Sequence, residues 1–212
     1  MVLVLFIALL LLVSGVGSTV APTPAPSNIR SASNKIGPFI GTGTSSSTGD
    51  GGRASSATIK TGRGIWSDTN NYFYVVEYNG YCVRKFSMTD TIISTFAGTC
   101  GSQSTSGDGG PATSGTFHSP VSLVSDTNGK IFITDYAANR IRLVTSGILS
   151  TYAGVGGAAT VTGDGGPTTS STFKAAHGIW INSVGDIFSN GYSSYVVRKI
   201  TASTQIITTI AG

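Results

Sequence analysis

Apolar and polar positions alternate in short runs through the middle of the chain. In 130–136 (KIFITDY), Ile131 and Ile133 alternate with Lys130, Phe132 and Thr134, the period of two that marks a β-strand. Residues 140–144 (RIRLV) alternate again, 121–125 form a short apolar run, and 148–153 (ILSTYA) make a fourth. Turn signals separate these runs. Asp126-Thr127-Asn128-Gly129 comes first, and its Asn-Gly pair tolerates the positive φ of a tight hairpin. Ala137-Ala138-Asn139 and Ser146-Gly147 follow. A polar, glycine-rich loop (GDGGPATSGT, 107–116) precedes the whole unit. The pattern predicts four strands in an up-and-down antiparallel sheet.

The unit occurs three times. A Gly-Asp-Gly-Gly turn opens each copy, at Asp50, Asp108 and Asp164, which are 58 and 56 residues apart (108−50, 164−108). Each closes on an apolar stretch ending in Gly98, Gly154 or Gly212, 56 and 58 apart (154−98, 212−154). Asp68 and Asn182 match Asp126 at the first hairpin, and Ile59, Phe117 and Phe173 supply one apolar anchor after each loop. A fixed period of this size means stacked units, none able to bury its apolar face alone. Four short strands per unit is the signature of a β-propeller blade. The expectation is an all-β fold with blades at about 42–98, 99–154 and 155–212, forming a partial or open propeller. A β-sandwich could hold as many strands but would not repeat with one period.

Composition agrees and narrows the function. The 212 residues include 29 glycines and one glutamate, Glu77, and only 10% are charged. Ser, Thr, Val and Ile favour strands and turns over helices. The net charge of +4 is scattered, with no Lys/Arg run longer than the pairs Arg84-Lys85 and Arg198-Lys199, which argues against nucleic acid as a partner. Residues 2–13 are apolar without interruption and small residues follow. This reads as a secretory signal peptide over 1–18, too short to span a membrane; an uncleaved anchor is the alternative. Residues 19–34 carry Pro22, Pro24 and Pro26 among small residues, the composition of a stiff solvated linker. The expected location is therefore extracellular. There Cys82 and Cys100, on either side of the hairpin centred near Asp90, are expected to pair as a disulfide. Their diagonal placement is slightly wide for a bridge, and the Gly98-Thr99 exit can close the gap. The alternative is two small apolar fillers.

Candidate chemistry is sparse. Asp50, Asp108 and Asp164 are calcium candidates because they recur, but one carboxylate per blade falls short of the six to eight oxygens calcium takes. The competing reading is a turn in which each Asp bonds its own backbone. Arg84, Arg142 and Arg198 recur on the third strand. They either line a surface for an acidic ligand or pair with acids, Glu77 and Asp135 being the mates in the first two copies; the third has Gly191 at that position. Tyr78, Tyr136 and Tyr192 end the second strands near one propeller face, where they could pack the rim or stack on sugars or peptides. Trp66 and Trp180 share a first-strand column with Val124, which reads as core. His118 and His177 fall in different columns, His118 with Lys60 and Lys174 and His177 with Arg63 and Val121. Two unmatched histidines do not assemble a zinc site, and no Gly-x-Ser-x-Gly elbow marks a hydrolase. No cofactor and no catalytic residue are expected.

The segments GDGGPATSGTF (107–117), SDTNGKIFITDY (125–136), NRIRLV (139–144) and ILSTYAG (148–154), with their copies RKFSMTDTIISTFAG (84–98) and RKITASTQIITTIAG (198–212), resemble the NHL-repeat family. The resemblance runs over about 39–212. It implies propeller blades, usually about six to a ring, with a binding or scaffolding surface for a protein or glycan. In relatives with metal-binding histidines it implies an enzyme, so the alternative function is a piece of a secreted lyase- or hydrolase-type propeller whose metal ligands lie in further blades. The period of 56–58 exceeds the usual ~40–50 of propeller repeats, the surplus lying in loops such as 99–116. Three blades do not close an ordinary ring, which leaves a piece of a longer protein, association with a second copy, or an open arc. Residues 35–41 (KIGPFIG) read as a closing strand without its first three, able to complete a blade by pairing.

Overall fold

The structure is a computed structural model that describes residues 39–157 and 160–212. The expected signal peptide at 1–18, the expected linker at 19–34 and most of 35–41 lie outside the described residues. Three antiparallel sheets follow one another along the chain. Blade 1 holds β1 (Gly62–Ser67), β2 (Tyr72–Glu77), β3 (Cys82–Ser87) and β4 (Ile93–Ala97). Blade 2 holds β5 (Pro120–Ser125), β6 (Ile131–Asp135), β7 (Arg140–Thr145) and β8 (Ile148–Ala153). Blade 3 adds a short outer strand β9 (Gly166–Pro167) to β10 (Ala176–Ile181), β11 (Ile187–Gly191), β12 (Val197–Thr201) and β13 (Ile206–Ala211). Every blade-2 strand starts and ends within one residue of the expectation. β9 lies in the opening loop of its blade and bonds the outer edge; in blades 1 and 2 the same contact is an isolated bridge, Arg53 to Ile92 and Pro111 to Ile148.

The alternation in β6 separates two neighbours rather than core from water. All five residues are buried. Ile131 and Ile133 pack with Tyr74, Val76, Val83 and Ala97 of blade 1. Phe132 packs with Ala176, Ile187, Ile200 and Ile207 of blade 3. A middle blade is thus apolar on both faces, and the apolar area between blades is the main stabilising term.

The outer blades show what that packing requires. Trp66 reaches across to blade 2, where its indole N–H donates to Ser125 Oγ at 2.8 Å, and Val124 is buried against blade 3. Trp180, in the same column, is 56% exposed. The core reading therefore holds for Trp66 and is corrected for Trp180, because no described blade lies behind it. On the opposite face Leu123 is buried while its blade-1 counterpart Ile65 is 64% exposed.

One backbone contact recurs at each junction. The N–H of Gly98 donates to Ala112 O at 2.8 Å and that of Gly154 to Thr168 O at 3.0 Å. Both glycines have positive φ, and a side chain there would strike Tyr81 O or Asn139 O. In front of blade 1, Gly41 donates to Ala54 O at 2.9 Å in the same way. Phe39 stacks edge-on against Phe86, and Ile40 packs on the Phe86–Ile93 cluster. Residues 39–41 thus stand before blade 1 where 96–98 stand before blade 2.

The same glycine exit brings the cysteines together. Cys82 and Cys100 form a disulfide with Cα atoms 5.0 Å apart, closer than the diagonal spacing of a flat hairpin, because the chain swings back at Gly98 (φ 86°).

Candidate functional site

The two most regular sets of polar residues, the aspartates and the arginines, pair with each other. Arg84, Arg142 and Arg198 form ion pairs with Asp50, Asp108 and Asp164, each 34 residues upstream. Across the sheet each arginine faces a threonine of the fourth strand, Thr95, Thr151 or Thr209. The second carboxylate oxygen accepts from that residue: from the hydroxyls of Thr95 and Thr151 at 2.7 Å and from the Thr209 N–H at 3.0 Å. The loop is thereby pinned to strands three and four of its own blade.

This corrects three expectations. The aspartates are not free calcium ligands, since each carboxylate is taken by a guanidinium of its own blade. Nor do they bond chiefly their own turns. The arginines are not a ligand surface, because all three side chains are buried. Glu77 is a second partner of Arg84 at 3.2 Å. Asp135 instead accepts the N–H groups of His118 and Ser119. Arg198, without a mate in the acid column, bonds the carbonyls of Thr172 and Thr162 as well as Asp164. Burial pushes Asp108 and Asp164 up, but the threonine hydrogen bonds and the paired arginines outweigh it and hold both below the usual carboxylate range. Burial wins at Asp135, which is raised despite its N–H donors.

The tyrosines behave differently. Tyr78, Tyr136 and Tyr192 each follow a second strand, and each backbone N–H bonds the residue before the first strand: Thr61 O at 3.0 Å, Ser119 O at 3.0 Å and Ala175 O at 2.8 Å. Immediately beyond, the first strands carry an irregularity in register of the kind that re-aims a side chain. The residues at these bulges include Arg63, Val121 and His177. The result is a cleft of about 300 Å³ lined by Arg63, Tyr78, Tyr136, His177 and Tyr192. Tyr136 is its middle ring, with centroids 6.4 Å from Tyr78, 6.2 Å from Tyr192 and 6.2 Å from His177. The Arg63 guanidinium lies 3.7 Å over the face of Tyr78. Thr134 Oγ1 of blade 2 donates to His177 O at 2.7 Å and holds that backbone in place. Burial, and then the charge of Arg63, keep the His177 imidazole below its ordinary pKa, so it is neutral near pH 7.

Sequence reading found the tyrosines and missed Arg63 and His177. Each stands directly before a strand glycine, Gly64 and Gly178. A side chain at Gly64 would meet Val121 O and one at Gly178 would meet Asn190 Oδ1. Glycine inside a strand marks a bulge or a close approach, and that was the available signal.

A larger cleft of about 410 Å³ opens at the other end, between the first hairpins of blades 2 and 3. Its two hairpin-leading side chains are already engaged. Asp126 Oδ1 accepts the N–H groups of Asn128 and Lys130, and Asn182 Oδ1 those of Val184 and Asp186. These are Asx turns closing hairpins, which gives Asp126 and Asn182 a structural role. Among the described residues no group of three or more His, Cys, Asp or Glu side chains is placed to hold a metal ion. Also among them, no helix is long and apolar enough to cross a membrane.

Comparison with known proteins assigns the architecture. No protein-family model matches the chain, and no curated protein matches it in sequence. Solved β-propellers do match in shape. A Bacteroides thetaiotaomicron protein of unknown function superposes with TM-score 0.57 at 16% identity, over 73% of this chain and 38% of its own. A chain of a nidogen–laminin complex gives 0.52 at 14% identity, over 73% and 49%. An auxiliary nutrient-binding protein from Bacteroides ovatus gives 0.52 at 16%, over 69% and 37%. The chain spans less than half the length of each. At such identities the likeness establishes the fold alone: this is an all-β protein of propeller blades.

Proposed function

We propose that the chain is an extracellular, NHL-like propeller module without catalysis of its own, and that it binds a protein or glycan through the tyrosine-lined cleft. The observation that carries this reading is the convergence of one tyrosine from each of three blades on a single cleft, joined there by two side chains that the repeat does not share. Structural roles repeat from blade to blade, as the Asp–Arg–Thr sets do. A patch that keeps its aromatic floor while varying its polar rim has the composition of a recognition surface. The disulfide suits an oxidising compartment. Propellers of similar shape include a nutrient-binding protein and a member of a nidogen–laminin complex, a fold-level analogy.

The test is a glycan and peptide array probed with the wild-type chain and with Tyr136→Ala. The reading expects at least one ligand class whose signal falls at least tenfold in the variant while its melting temperature stays within a few degrees. Hits indifferent to Tyr136 would move the site elsewhere.

A further inference from the structure

We infer that the tyrosine cleft is built for a sugar residue bearing a carboxylate, such as a uronate or a sialate; this rests on the binding role proposed above. The charge balance of this end of the blades is the first ground. The acid column that borders it is spent internally. Glu77 and Asp135 are fully buried. Glu77 is held by Ser47 Oγ, the Lys60 N–H and Arg84, and Asp135 by the N–H groups of His118 and Ser119. The third blade has Gly191 in that column, where Lys174 O and Ser194 Oγ leave no room for a side chain. No carboxylate lines the cleft. Arg63 does line it, and among the described residues its guanidinium has no acidic partner.

The second ground is how Arg63 is held. It lies flat on Tyr78 at 3.7 Å, a contact that fixes the fork without consuming its N–H donors. A planar, pre-positioned guanidinium suits a carboxylate, which it can grip with two parallel hydrogen bonds. A single cation fits a singly charged group better than a phosphate dianion.

The third ground is the wall. Tyr136 and Tyr192 present aromatic surface, and Tyr192 is 69% exposed. Ring faces of this kind stack on the C–H face of a pyranose while phenolic tips and the neutral His177 exchange hydrogen bonds with its hydroxyls. The cleft, about 300 Å³, lies at the small end of ligand sites, the scale of a terminal sugar rather than a long peptide.

The experiment titrates the disulfide-intact chain by calorimetry with three probes: trigalacturonate, 3′-sialyllactose and the neutral galactotriose. At least one acidic probe is expected to bind tenfold or more tightly than galactotriose. Arg63→Gln, an exposed position, should bring that acidic probe down to the neutral one with the melting temperature unchanged, and Tyr136→Ala should weaken all that bind. A trigalacturonate preference over sialyllactose assigns a uronate; the reverse assigns a sialate. Equal binding of acidic and neutral sugars, untouched by Arg63→Gln, overturns the carboxylate while leaving a glycan cleft. A capped tri-aspartate peptide bound as tightly as the best acidic sugar, and lost in Arg63→Gln, overturns the sugar while keeping the cation. Binding of none of these, with array hits indifferent to Tyr136, removes the cleft and the proposed function together.

Discussion

Each blade carries two repeated sets of side chains, and their surroundings differ. The Asp–Arg–Thr set is the same three times: a loop aspartate, 49% exposed at the side chain, reaches a buried arginine and the threonine opposite it. The tyrosines are equally regular in sequence but meet different companions, Arg63 beside Tyr78 and His177 beside Tyr136 and Tyr192. In the first set each aspartate oxygen is answered by an arginine or a threonine of the same blade, so the contact closes within one blade. In the second, the constant ring is answered by a neighbour that changes from blade to blade, and polar capacity is left over. Strict periodicity therefore reports how a blade is fastened, and broken periodicity around a constant residue reports where the surface differs for a purpose.

The largest effect should come from the fastened set. Asp108→Ala strips the partner from a fully buried guanidinium and is expected to cost about 3–5 kcal/mol, read as a drop in the urea midpoint. Arg142→Met added to it should recover part of the loss, because the orphaned charge goes too. If Asp108→Ala proves neutral, the comparison fails at its stronger end. Next comes the disulfide: Cys82→Ala with Cys100→Ala opens a loop of sequence separation 18 and should cost about 2–4 kcal/mol, with non-reducing mass analysis confirming the bridge in the parent.

Acid should loosen the same fastenings by degrees. Asp108 and Asp164 titrate below the usual carboxylate range when folded, so their stabilisation is complete above the unfolded value of about 4 and fades as pH falls through the lowered folded values. Asp186, lowered by Lys199 and the Ala202 N–H, acts in the same direction. Asp135, raised by burial, acts oppositely: its contribution is greatest below the unfolded value and is lost on going to neutral pH. Asp90 is lowered too, giving four lowered carboxylates against one raised, and His177 is also lowered, so the melting temperature should begin to slip below about pH 6.5 and fall more steeply below about pH 4. The smallest stability change belongs to the open set. Tyr136→Ala removes a partly buried ring and should shift stability by about 1 kcal/mol while weakening ligand at least tenfold. A large loss of stability there would place Tyr136 with the fastened residues and dissolve the contrast.

The blades were legible because the information that makes them is local and repeated. Period-two runs, Asn-Gly and Asp-led hairpins and the recurring glycines located the four strands of blade 2 to within a residue. The disulfide was legible too, from compartment and hairpin position. The Asp–Arg pairing was not, since the partners are 34 residues apart and Glu77 and Asp135 offered a nearer choice for the same arginines. Trp180 was misplaced because a column shared with Trp66 says which way a side chain points, not whether another sheet lies there. Arg63 and His177 escaped because a bulge breaks the alignment of strand position with face, and only Gly64 and Gly178 hinted at it.

Phe39, Ile40 and Gly41 carry a consequence for anything that approaches blade 1. They stand where the last residues of a preceding unit's outer strand would stand, with Gly41 bonded to Ala54 and Phe39 edge-on to Phe86. A visitor bringing four rungs would find one seat taken and would collide with this segment. One bringing three would leave that position to residues 39–41.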